Sequence, residues 1–114
     1  MRVTTELFVS ALVRRAFIEG GFAAIMRKGA AEAGAVFVIA RGRDGQVRLF
    51  GPAPQTSYET GKPEERRFAP LLSDRDETLV NERLEREIRF DPDVWIVELE
   101  TAGPAEALLE VTTP

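Results

Sequence analysis

Two acidic clusters, Asp74-Arg75-Asp76-Glu77 and Asp91-Pro92-Asp93, and a scatter of arginines around a single tyrosine are the residues best suited to chemistry. Neighbouring carboxylates can hold a hard cation or share acid–base work. Guanidinium forks and an aromatic plane can grip an anion or a protein surface. Neither Cys nor His occurs among the 114 residues. Thiol nucleophiles, imidazole bases, Ser-His-Asp triads and Cys/His zinc sites are thereby excluded. Ser10, Ser57 and Ser73 are the only serines, and Lys28 and Lys62 the only lysines.

Both acidic clusters sit where a helix should begin or end, so capping and turn formation account for them without a metal. No calcium-loop spacing is present. Thr60-Gly61-Lys62-Pro63 fails as a phosphate loop, having Pro where Ser or Thr belongs and Thr56 in place of the first glycine. Gly29 and Gly34 flank Ala-Ala-Glu-Ala and most simply serve a turn. No catalytic residue, metal site or cofactor is predicted.

The elements that must position the arginines read as follows. Thr4 and Thr5 open a helix that closes at Gly20-Gly21. Glu6, Ser10 and Arg14 form one polar stripe, and most of the remaining circumference is apolar, so this helix should be largely buried against a sheet or a partner subunit. Phe22–Lys28 is a short strand, and Ala35–Arg41 a strongly β-branched one. Asp44-Gly45 signals a hairpin into Gln46–Phe50. A two-residue turn would pair Arg41 with Arg48; a three-residue turn with a glycine bulge would shift the register by one. Ser73 and Asp74 open a second helix, in which Val80, Leu84 and Ile88 form the apolar stripe and which Pro92 ends. Val94–Glu100 is the closing strand, with Trp95, Val97 and Leu99 on one face. Residues 102–114 form a tail or a short extra element after a single domain spanning 1–101.

The reading is thus an α+β fold: an antiparallel sheet of about four strands, ordered α-β-β-β-loop-α-β, packed against two helices. Between Gly51 and Pro70, four prolines and many polar residues leave nearly twenty positions without periodicity. Loops of such length are usually functional or disordered. Its Tyr58, Arg66 and Arg67 are the candidate binding residues, and Arg41 and Arg48 on the preceding hairpin could extend their surface towards an anion.

A composition that is 44% hydrophobic and 30% charged is that of a globular domain. No apolar run is long enough to span a bilayer. The Met1 end lacks the order of a signal peptide, and with no cysteine the expected location is the cytoplasm. Net charge is −4, divided into +4 over residues 1–48 and −8 over the rest. The element order is shared with double-stranded-RNA-binding domains, but their basic helix start is here Ser73-Asp74-Arg75-Asp76-Glu77, which would repel phosphate.

Several stretches in order resemble one small bacterial family, catalogued as domain of unknown function 1491. They are Leu7–Arg15, Gly20-Gly21-Phe22-Ala23, Ala33–Val38, Gly51-Pro52-Ala53-Pro54-Gln55 and Arg89–Trp95. The resemblance covers nearly the whole chain except its tail. It implies one intact domain and brings no catalytic or binding residues with it.

The function expected is a non-enzymatic binding or adaptor module for an unidentified protein or a small anionic ligand. An arginine-based nucleic-acid or nucleotide binder is the alternative, nucleic acid being disfavoured, and a carboxylate-based hydrolase is third. A membrane partner is not expected, and a homodimer is left open.

Overall fold

A computed structural model describes residues 3–54 and 66–112. Its elements are α1 (Thr5–Ile18), β1 (Phe22–Arg27), β2 (Val36–Arg41), β3 (Val47–Pro52), β4 (Phe68–Asp74), α2 (Glu77–Phe90), β5 (Trp95–Glu100) and a 3-10 turn (Ala105–Ala107). The five strands form one sheet in the order β1-β5-β2-β3-β4. The α+β class is as the sequence predicts. The sheet has five strands instead of about four, and it is mixed: β2 and β5 run parallel, while every other neighbouring pair is antiparallel. The crossover through α2 brings β5 back between β1 and β2, and a crossover of this kind permits a parallel pair.

The additional strand is β4, which lies where the sequence suggests loop and helix start. Phe68-Ala69-Pro70-Leu71-Leu72 does not alternate, and Pro70 argues against an interior strand. At the sheet edge the missing N–H is tolerated, and β4 pairs with β3 from Pro52↔Phe68 to Val47↔Asp74. The N–H of Ala53 also donates to the Arg67 carbonyl at 2.9 Å, closing both ends of the long connection together. Helix α2 accordingly starts three residues later, capped by the Asp76 side chain on the Thr78 N–H.

One helix covers each face of the sheet. Val9, Leu12 and Ala16 of α1 pack on Val36, Val38, Trp95, Val97 and Leu99. Val80 and Leu84 of α2 pack on Phe37, Ile39, Leu49, Val94 and Ile96 on the other side. The stretch after β5 joins the α1-side core through Ala105, Leu108 and Leu109, and Val111 bridges Phe68 at the edge of β4.

The first N–H groups of α1 lack helical partners, as at any helix start. The turn between β1 and β2 supplies them: Thr5 N–H donates to Glu32 O and Glu6 N–H to Ala31 O, while Thr4 Oγ1 accepts from Leu7 N–H. That turn is held in place from the other side by close approach. A Cβ on Gly29 or Gly34 would collide with the Asp93 carbonyl, and at Gly34 it would also lie 2.9 Å from Trp95 Cδ1. These glycines therefore admit the backbone of the α2–β5 connection as well as making a turn. Trp95, 1% exposed, donates its indole N–H to Ala30 O at 2.7 Å and completes the joint.

Helix α1 is less buried than its composition suggests. Leu7, Phe17 and Ile18 are exposed on its outer side. No helix among the described residues is long and apolar enough to cross a membrane.

Candidate functional site

The β2–β3 turn decides which arginines can act together. Gly42 N–H donates to Gln46 O, and Gly45 takes a φ of +85°, the geometry of a three-residue loop with a glycine bulge. The register is therefore Arg41↔Val47 and Ala40↔Arg48. Directly opposed residues share a face, so Arg41 and Arg48 project to opposite faces. The two do not form one surface.

Arg41 lies on the α2 side, where it is bound to two carboxylates. Its Nε donates to Glu98 Oε2 at 2.7 Å, and Nη2 donates to Glu77 Oε1. Hydrogen bonds to Glu77 and then to Glu98 raise its pKa above the ordinary arginine value. Beside it lies an open hollow of about 300 Å³ at the ends of β2 and β5, lined by Gly20, Gly21, Phe22, Arg43, Glu100 and neighbouring backbone. With Arg41 committed to Glu77 and Glu98, and with Glu100 on the rim, the hollow offers an anion little net positive charge.

Arg48 lies on the α1 side, with its guanidinium 4.7 Å from the centre of the Phe50 ring. It meets the Glu106 carboxylate with both Nη atoms, at 3.2 and 2.8 Å. Bonding to Arg48 holds the Glu106 pKa below the ordinary carboxylate value. Arg66 lies on this side too. It stands 5.5 Å from the Phe8 ring centre and donates to Thr5 Oγ1 at 2.7 Å. Arg15 donates to the Leu108 carbonyl at 3.0 Å.

Arg15, Arg66 and Glu106 border one narrow groove of about 120 Å³ between the flank of α1 and residues 106–110, lined also by Phe8, Leu109 and Glu110 among others, and Arg48 reaches its rim through Glu106. In the groove the Phe8 ring steadies the Arg66 guanidinium, and beside it Phe50 does the same for Arg48, which reduces the side-chain freedom lost on contact. The groove lies where the β3–β4 connection returns to the sheet.

Of the residues singled out from sequence, Arg48 and Arg66 are thus brought to one face and Arg41 to the other. Arg67 is half-buried next to Arg66. Tyr58 lies outside the described residues. Arg15 and Glu106 were not singled out. Arg15 reads as one of a basic pair on a helix, and Glu106 falls in a tail whose structure the pattern leaves open. Only their convergence in space marks them.

The acidic clusters act as their positions suggest. Asp74 Oδ1 accepts from Asp76 N–H, and Asp91 Oδ1 accepts from Asp93 N–H. Among the described residues no group of acidic side chains is placed to hold a metal ion.

Comparison with known proteins gives a family whose description assigns no function. The model of the family described as "Protein of unknown function (DUF1491)" matches residues 3–109. A protein of A. tumefaciens, known from its solution structure, is 47% identical, with 100% of this chain and 98% of that one covered and a TM-score of 0.83. A DUF1491 family protein from Caulobacter crescentus CB15 is similar in its crystal structure, at 40% identity, 88% and 87% coverage and a TM-score of 0.72. An NMR structure of a protein of that family from the same organism gives 37% identity, 97% coverage of both chains and a TM-score of 0.76. No curated protein matches the chain.

Proposed function

The chain belongs to the DUF1491 family, and from its own geometry we propose that it is a non-enzymatic binding module. Its contact surface is the α1-side groove, and its partner is a protein that presents a carboxylate there. The observation that carries this reading is the Arg48 fork. Stacked on Phe50, it already holds one carboxylate, that of Glu106, in bidentate geometry. The Glu106 side chain is 42% exposed, so an incoming carboxylate can replace it without unpacking the core.

The size of the groove favours a protein over a free small molecule. Pockets for small ligands usually hold ~300–1,000 Å³, well above the 120 Å³ found here. One protruding side chain fits that space, and flanking contacts on Phe8 and Arg66 would supply the remainder of an interface.

The test is affinity capture of tagged protein from its native lysate after nuclease treatment, with Arg48→Met compared with wild type. The proposal expects a discrete partner that Arg48→Met loses while its melting temperature stays near that of wild type. Capture that survives the substitution would move the surface elsewhere. Capture that disappears with nuclease would favour the nucleic-acid alternative.

A further inference from the structure

We propose that β1 pairs with β1 of a second copy of this chain, antiparallel, to join two sheets into one. The two edges of the sheet are treated differently. At β4, residues 110–112 cover the start of the strand: Phe68 N–H donates to Glu110 O, and Thr112 N–H to Phe68 O, both at 2.7 Å. Pro70 further blunts that edge.

Among the described residues no segment covers the outer edge of β1, whose one strand neighbour is β5, and its only irregularity is a bulge near its end, between Ile25 and Arg27. Residues 20–26 contain no charged side chain and no proline. Apolar side chains are exposed on both sides of the strand. Phe22, opposite Glu100, is 44% exposed, and Ile25, opposite Val97, is 45% exposed. Met26, Phe17 and Ile18 continue the patch at 58%, 52% and 74%. An open row of backbone donors and acceptors flanked by apolar side chains is a template for another strand.

The occupant follows from how β1 complements itself. A two-fold axis joining antiparallel edge strands stands perpendicular to the sheet, so each residue meets one of the same face. An axis at Ala24 sets Ala24 against its own copy and Ala23 against Ile25, and it brings Phe22 to Met26 at the bulge. Small side chains then meet large ones, and a thioether meets an aromatic ring. The charges agree with this arrangement. Glu19 and Glu100 flank the start of β1, and Arg27 and Lys28 mark its end. Antiparallel apposition brings the acidic end of each copy to the basic end of the other, twice, whereas parallel apposition would place like charges together. The groove beside residues 106–110 remains open, because it lies on the α1 face towards β3 and β4, away from the joined edge.

Sedimentation of the whole chain from micromolar to submillimolar concentration tests this. Wild type should show a reversible monomer–dimer equilibrium, and Ile25→Lys should be monomeric with its melting transition retained. Glu19→Lys and Lys28→Glu should each raise the dimer dissociation constant on the order of tenfold. The two together should restore it, a rescue that simple damage to the fold cannot produce. Amide exchange at Phe22–Ile25 should slow as wild-type concentration rises, a result that does not depend on any variant folding. A monomer throughout the range, or a dimer unmoved by these substitutions, would overturn the proposal.

Discussion

Thr5 and Arg66, separated by 61 positions, meet in a 2.7 Å hydrogen bond between the threonine hydroxyl and a guanidinium nitrogen. The same hydroxyl, fully buried, donates to the Gly34 carbonyl at 2.9 Å. One oxygen therefore joins the start of α1, the β1–β2 turn and the end of the β3–β4 connection. Thr5→Val keeps the shape and removes both bonds, leaving a buried carbonyl without its donor. It should lower stability by about 1–3 kcal/mol, as measured by urea denaturation, with Thr5→Ser largely restoring it. This bond also makes Arg66→Ala a poor probe of binding, since it disturbs the fold; Arg48 is the cleaner choice.

Gly34 and Asp93 give the second prediction. Gly34→Ala places a methyl group against the Asp93 carbonyl and the Trp95 ring, and backbone cannot yield as a side-chain tip can. Both Gly34→Ala and Gly29→Ala should destabilise the protein by more than ~2 kcal/mol, and the Gly34 variant should red-shift Trp95 emission as the indole loosens. Trp95→Ala should cost ~3–5 kcal/mol.

The Glu106–Arg48 pair gives a dependence on pH. The carboxyl pKa is lowered in the fold from an ordinary value of 4.5. Its contribution is therefore complete above that value and is lost as pH falls through the folded pKa. Both side chains are partly exposed, so the contribution is small, under about 1 kcal/mol. Carboxyl NMR should show Glu106 titrating below pH 4.5 in wild type and moving upward in Arg48→Met.

Arg41 holds two carboxylates, and Glu98 has only 14% of its side chain exposed. Arg41→Met takes the shared partner from both carboxylates and should cost about 1–3 kcal/mol. Adding Glu98→Gln should recover part of the loss. Because Arg41 is raised from a value already far above neutrality, its own charge is constant at physiological pH and is lost in strong alkali.

The sequence made some of this fold legible and hid the rest for identifiable reasons. The β-branched run Val36–Ile39, the Asp44-Gly45 turn, the Thr4 cap and the alternation of Trp95, Val97 and Leu99 are local signals, and each appears where it points. β4 was hidden because Pro70 and a non-alternating apolar run suit an edge strand and imitate a loop. The parallel β2–β5 pair depends on where α2 crosses, which no local pattern records. At the site, the turn signal permitted two registers one residue apart, and that single step separates Arg41 from Arg48. Phe8, Arg15 and Glu106 come together only through tertiary packing.

Whether the α1-side groove receives a carboxylate from a protein partner can be read by NMR titration of labelled protein with a short glutamate-rich peptide. The signals to follow are the guanidinium groups of Arg15, Arg48 and Arg66 and the carboxyl of Glu106. Saturable shifts at these groups together are expected, with Glu106 moving towards its ordinary pKa as the peptide takes its place on Arg48. Shifts centred on Arg41, Arg43 or α2, or no saturable change, would contradict the proposal.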